Sequence, residues 1–281
     1  MSSCEECGTN GMNGMNSVNL LLILMPLGLC GGMIAAAVAG HRLAVARRQR
    51  LDTEATVGTS AIDAAVLGLL GLLVAFWFSS AGTRLDIRRS LIVEEANSIG
   101  TAWLRLDLLP PDVEVQVRDL FRHYVDVRLA QTTEVGRPGP QEPLDRRLTE
   151  LRHAIWGRAV AAAPRSTSDQ AAAILLESLN GMFDAGTRHQ AAFDAHTPTA
   201  ILVLLLAVGI LSALLAGHDM GSQGTFNRLH VVVFASVVSL TIWVIYDLEM
   251  PRYGLIRVDN FDKTMLDVRA DFQWPDAKPA P

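Results

Sequence analysis

His189 and His196 stand seven positions apart, with Asp184 and Asp194 close by in sequence. Imidazoles and carboxylates of this kind could hold a metal ion or pass a proton if a helix gathered them. Seven residues is about two helical turns, however, too far for both rings to share one ion unaided. Cys4 and Cys7 form a single C-x-x-C without a second pair or a neighbouring histidine, which is half of a metal site. The alternative is a tail carrying two thiols, and Met1, Met12 and Met15 leave the start of translation open. Cys30 lies in an apolar run and reads as a small buried residue. His123 and His153 are single histidines on amphipathic segments and are expected at the surface. The chain has no Gly-rich phosphate loop, no G-x-S-x-G and no basic aromatic patch, and its net charge of −5 disfavours nucleic acid as a partner. Catalytic residues and cofactors are therefore expected to be absent.

A different chemistry is available to Leu69, Leu72, Phe76, Ser80 and Thr83, which recur every three or four residues and so share one helical stripe that ends at Arg84. Copies of this stripe around a common axis would make a narrow dewetting constriction that opens onto hydroxyls and then onto Arg84. Packing or lipid-facing leucines would produce the same pattern. No charge stands in the middle of any apolar run, so the usual ionisable marker of a proton relay or coupled transporter is missing, which favours a passive pore over a pump.

These residues are positioned by four apolar runs. The expected division is an N-terminal tail (1–17), transmembrane helix 1 (18–40), a basic loop (41–56), transmembrane helix 2 (57–82), a helical extramembrane domain (83–198), transmembrane helix 3 (199–217), a short loop (218–228), transmembrane helix 4 (229–247) and a C-terminal tail (248–281). Each run is about long enough to span roughly 30 Å of hydrocarbon. The last two are short and could also form the buried hairpin of a soluble protein. No basic residue precedes the first run, so it is expected to be a retained anchor and not a cleaved signal. The arginines 42, 47, 48 and 50 would place the first loop in the cytosol, whereas Arg84, Arg88, Arg89, Arg188, Arg252, Arg257 and Lys263 lie on the opposite side.

Within 83–198, Leu85, Ile92, Ala96, Ile99, Trp103 and Leu106 predict a helical seam that continues from the second span, with Arg88, Glu95, Ser98 and Arg105 on another face. Pro110 and Pro111 should end it. A second helix is expected from a cap at Asp112 to about Thr132, with Val113, Val117, Leu120, Tyr124 and Val127 inward. A Gly/Pro-rich loop (134–143) precedes a third helix through Leu144, Leu148, Leu151, Ile155 and Ala159. Ser166 to Ser168 should cap a fourth, with Ala172, Leu175, Leu179 and Met182 inward. No segment alternates with period two long enough to demand a sheet.

The run LGLLGLLVAFWFSSAGTRLDIRRSLIVEEANSIGTAWLRLDLLPPD, residues 67–112, resembles the second-span helix of bestrophins and of bacterial bestrophin-like membrane proteins. Leu179, Asn180, Asp184, Thr197 and Pro198 are similar to the segment that re-enters the membrane in that family, and YDLEMPRYGLIRVDNFDKTMLDVR, residues 246–269, resembles the acidic segment after its last span. The resemblance implies a pentamer of four-span subunits around a pore lined by the second helix, with the 83–198 domain in the cytosol. It also raises a calcium site on Asp247, Glu249, Asp259 and Asp262, against which stand a missing carboxylate at Met250, the inserted Arg252, and the need for six to eight oxygen ligands. A surface turn and helix cap is the other reading of that segment. The expectation is an all-α, multi-pass protein of the cell membrane whose partners are the lipid bilayer, further copies of itself and inorganic ions. Its function would be that of an oligomeric passive ion channel. The rival is a membrane-anchored interaction or sensory protein without transport.

Overall fold

The computed structural model describes residues 5–51, 60–134, 142–195, 197–250 and 259–272. Every extended element among them is a helix: α1 (Glu5–Leu51), α2 (Ser60–Arg105), α3 (Pro111–Glu134), α4 (Glu142–Ala162), α5 (Asp169–Asp194), α6 (Thr199–Ser222), α7 (Arg228–Glu249) and α8 (Asp259–Asp271). Cys4, Cys7 and His196 fall on residues whose side chains lie outside this description, as do the side chains of Asp259 and Asp262. The chain divides into two compact units. Met12–Arg84 and the α6–α7 hairpin make an apolar unit, while Leu85–Ala195 and α8 make a charged one; α2 is a single helix that passes from the first to the second.

The apolar unit is built with small residues inside and large ones outside. Gly209, Ser212, Ala213, Gly217 and Gly221 of α6 are buried, whereas Ile201, Val203, Leu204, Ile210 and Leu211 of the same helix are exposed. That inversion suits hydrocarbon, where large side chains gain nothing by hiding and small ones let backbones approach. A Cβ at Gly217 would lie 1.9 Å from the carbonyl oxygen of Ala37, and one at Gly40 would lie 2.0 Å from that of Leu214, so α1 and α6 cross with backbones touching. The α6–α7 turn uses Gly224 at φ +75°, and Asn227 caps α7 by accepting from the amide of His230. Helices α1, α2, α6 and α7 contain stretches long and apolar enough to cross a membrane. Asp63, the acidic residue near the start of the second run, lies in the first turn of α2, where it complements the helix dipole.

In the charged unit, Leu85, Ile92, Ala96, Ile99, Trp103 and Leu106 are all buried, as the seam required. Trp103 stacks on Phe272, the residue that follows α8, at 4.2 Å between ring centroids, and tilts against Phe121 at 5.8 Å. Arg118 lies 4.4 Å over the same indole. Helix α8, which lies within the expected tail, is anchored by this stack and by Arg269, which donates to both carboxylate oxygens of Asp126 at 2.6 and 3.0 Å.

Three local expectations need correction. Helix α3 begins on Pro111 and not after a cap at Asp112: the carbonyl of Pro110 receives the amides of Val113 and Glu114, and proline suits a first turn whose amides have no helical partner. The Asp112 carboxylate instead accepts two bonds from Arg165, at 3.0 and 2.7 Å. The buried face of α3 is rotated relative to expectation: Val117 and Tyr124 are inside, but Phe121, Val125, Arg128 and Gln131 join them, while Val113, Leu120 and Val127 are only half-buried. Finally, Arg88 and Glu95, expected on a polar face, are 1% and 0% exposed. Ser168 does cap α5, accepting from the amide of Ala171 at 3.1 Å.

Candidate pore face and its polar surroundings

Helix α2 puts Leu70, Trp77 and Ala81 inward, and this fixes the opposite orientation of its other residues. Leu69, Leu72 and Phe76 are 48%, 52% and 66% exposed, and Ser80 and Thr83 follow on the same exposed stripe. Phe78, on a different face, is exposed as well, so exposure alone does not distinguish a pore face from a lipid face. Thr83 returns its hydroxyl proton to the carbonyl of Ser79 at 2.9 Å, the usual way a helical threonine hides its donor.

Arg84 does not project freely from the end of this stripe. Its guanidinium donates to Ser80 Oγ at 2.6 Å and to Thr197 Oγ1 at 2.7 Å, and pairs with Glu249. Thr197 in turn donates to Glu249 Oε1 at 2.8 Å. Glu249 is 4% exposed and Asp247 3%. Arg84, at which the predicted stripe ends, and Glu249, raised for calcium by the resemblance, are therefore partners of one another. Among the described residues no group of three or more His, Cys, Asp or Glu side chains is gathered as a metal site.

The residues of the charged unit form a second polar centre that sequence reading missed. Arg128 of α3 gives all five of its N–H groups to protein acceptors. Nε reaches Glu95 Oε1 at 2.6 Å, Nη2 reaches Glu95 Oε2 at 3.1 Å and the carbonyl of Gly186 at 3.0 Å, and Nη1 reaches Gln131 and, at 3.3 Å, Gln190. His189 Nδ1 bonds to Glu95 Oε2 and also lies 3.2 Å from Arg128 Nη2. One nitrogen cannot donate to the carboxylate and accept from the guanidinium, and the shorter contact puts the proton on Nδ1, facing Glu95. Burial alone would raise the pKa of Glu95, but the bond from His189 and the charge of Arg128 hold its carboxyl down at about 2. Tyr124 is pushed up to about 12, by burial first and by the Glu95 charge second. A Cβ on Gly186 would come 3.1 Å from Glu95 Oε1, so the glycine leaves room for the cluster. Because its donors are filled, this centre orders helices and offers no open coordination position.

Of the histidine and aspartate group considered for metal binding, His189 is thus buried against Glu95, while Asp184 and Asp194 are exposed. His123 and His153 are exposed, as expected. Arg88 closes the end of α5, donating to the carbonyls of Ala192 at 3.0 Å and Ala195 at 2.8 Å, where helix carbonyls lack partners and a cation is favoured.

Four spans, an all-helical architecture and a charged helical domain between the second and third span define a multi-pass membrane protein. The Bestrophin-like domain family matches residues 31–260, and the chain belongs to that family. Among solved structures it is similar to crystal structures of a bacterial Bestrophin homolog from Klebsiella pneumoniae. One is 15% identical with a TM-score of 0.59, covering 88% of this chain and 98% of that one. Another is 14% identical with a TM-score of 0.58 over 85% and 98%, and a third is 15% identical with a TM-score of 0.57 over 90% and 98%. No curated protein sequence matches the chain.

Proposed function

We propose that the protein is the subunit of a homo-oligomeric passive ion channel, with five copies of α2 around the axis and the constriction at Leu69, Leu72 and Phe76. The observation that carries this reading is the row of large apolar side chains left exposed on α2, in register with hydroxyls one and two turns further along. Rings of leucine and phenylalanine would hold back ions by stripping their water, and Ser80 and Thr83 would rehydrate them beyond. Arg84, tied to Glu249 and Thr197, braces the end of the span. The domain at 83–198 stands on the cytoplasmic side, and neither catalysis nor a bound cofactor is part of this reading.

The experiment is ion flux into proteoliposomes at matched amounts of folded protein. Phe76→Ala should raise flux over wild type by opening the constriction, and Phe78→Ala should not. Flux absent from all three would leave a membrane-anchored interaction protein as the better account.

A further inference from the structure

Helices α3, α4 and α5 frame a groove of about 320 Å³ that belongs wholly to the charged unit. Each helix contributes to it at the same interval. Tyr124 and Gln131 on α3, Asp145 and Arg152 on α4, and Phe183 and Gln190 on α5 all line it, and in each pair the two residues are seven positions apart. Seven residues is about two turns and ~10 Å of helix, so the groove has two ends. At one, the rings of Tyr124 and Phe183 meet edge to face at 5.7 Å, and the Arg152 guanidinium lies 5.1 Å over Phe183. At the other, Gln131 donates to Asp145, Gln190 donates to Asp194 at 3.3 Å, and Arg128 Nη1 joins the two glutamine oxygens.

The two ends differ in charge and in what each leaves to bind. Arg152 makes no ion pair or hydrogen bond among the described residues, unlike Arg146 and Arg147 of the same helix, which pair with Glu142 and Glu150. Tyr124 is 3% exposed, yet its hydroxyl bonds to no protein group among the described residues. Its pKa of about 12 keeps it a donor at neutral pH. The Glu95 carboxylate behind this phenol is already matched by Arg128 and His189. A buried phenol and a guanidinium, both without partners, are donors that suit a carboxylate. At the far end Asp145 and Asp194 receive amide donors and no ion pair among the described residues, so their charges suit a cation. Between the ends, Thr149 and Thr187 return their hydroxyl protons to the carbonyls of Asp145 at 2.9 Å and Phe183 at 3.0 Å. With Leu148 beside them, this middle stretch presents no free hydroxyl proton and suits a carbon chain.

We infer that this groove binds a linear amino acid whose charges stand at opposite ends of a carbon chain, its carboxylate on Arg152 and Tyr124 and its ammonium at Asp145 and Asp194. A ligand with one charge leaves one end of the groove unanswered. An α-amino acid such as glycine carries both charges but is too short to reach from one end to the other.

The test is isothermal titration calorimetry of the purified full-length protein in detergent, with 6-aminohexanoate as the probe and hexanoate, 1,6-diaminohexane and glycine for comparison. The probe should bind at least about tenfold more tightly than any of the three. Arg152→Gln and Tyr124→Phe should each weaken it by about tenfold or more, and Asp145→Asn should narrow its advantage over hexanoate. Tyr124→Phe removes a hydroxyl that holds no other group, so its unfolding temperature should match wild type, which separates lost binding from lost fold. Arg147→Gln, on the same helix but outside the groove, should bind as wild type does. No binding of 6-aminohexanoate to folded wild type would overturn the inference. So would equal binding of any of the three comparison compounds, or binding that is the same in wild type, Arg152→Gln and Tyr124→Phe.

Discussion

Glu95 and Arg128 meet through two roughly parallel N–H···O bonds of 2.6 and 3.1 Å, with side chains 1% and 3% exposed. They come from helices α2 and α3, 33 positions apart in sequence. Removing one partner from a buried pair strands the other charge and costs about 3–5 kcal/mol. Arg128→Met should therefore lower the unfolding temperature of the detergent-solubilised protein strongly, and so should Glu95→Gln. The double variant Glu95→Met with Arg128→Met should recover part of the loss. Single variants within a degree of wild type would show that the pair is solvated.

The same carboxylate predicts a pH dependence. Its pKa falls from 4.5 to about 2 on folding, so the unfolded chain binds more protons between those values. The stabilisation is fully present above about pH 4.5 and is lost as the pH falls towards 2, and it is worth on the order of 3 kcal/mol. Acid unfolding followed by near-ultraviolet circular dichroism should shift to higher pH values in wild type than in Glu95→Met with Arg128→Met when the two are compared at equal neutral stability. Identical acid midpoints would remove Glu95 as the linked group.

Trp103 packs between Phe121 and Phe272 under the guanidinium of Arg118. Trp103→Ala should destabilise the charged unit by about 3–5 kcal/mol. Phe272→Ala should do less globally but should speed hydrogen exchange in α8, since it removes the stack on Trp103. Unchanged exchange in α8 would mean that Met265 and the Arg269 pair hold it without the stack.

Gly217 has the carbonyl of Ala37 where its side chain would be. Gly217→Ala should force α1 and α6 apart and cost about 1–3 kcal/mol or more. Gly71→Ala, at a position with nothing within 4 Å, should be neutral or slightly stabilising through helix propensity. Thermal stability in matched detergent distinguishes the two, and equal effects would argue against the close crossing.

Topology can be read with single cysteines in a background lacking the native three. Glu150 on α4 and Gln223 in the α6–α7 turn are both exposed, and with one span between the domain and that turn they should show opposite accessibility to an impermeant thiol reagent. Glu150 is expected on the cytoplasmic side. Equal accessibility would remove a span.

The periodicity of apolar residues determined much of this protein by itself. The α2 seam from Leu85 to Leu106, the start of α5 at Ser168 and the break at Pro110–Pro111 follow from local chemistry: 3.6-residue spacing, a hydroxyl cap and a missing amide proton. The shared stripe of Leu69, Leu72 and Phe76 was legible in the same way, because a stripe is a property of one helix, whereas its exposure depends on which face of α2 the other helices cover. What the tertiary structure decided concerns the charges. Arg88, Glu95 and Arg128 look like solvated residues in a linear sequence, because the partners that make their burial tolerable lie on other helices: Ala192 and Ala195 for Arg88, and His189, 94 positions away, for Glu95. That burial rotated the inner face of α3 towards Arg128 and Gln131. Likewise, nothing near Arg84 or Glu249 in sequence announces their pairing, 165 positions apart. Apolar burial follows the local period of a helix, whereas a buried charge is stable only where distant segments supply its hydrogen bonds.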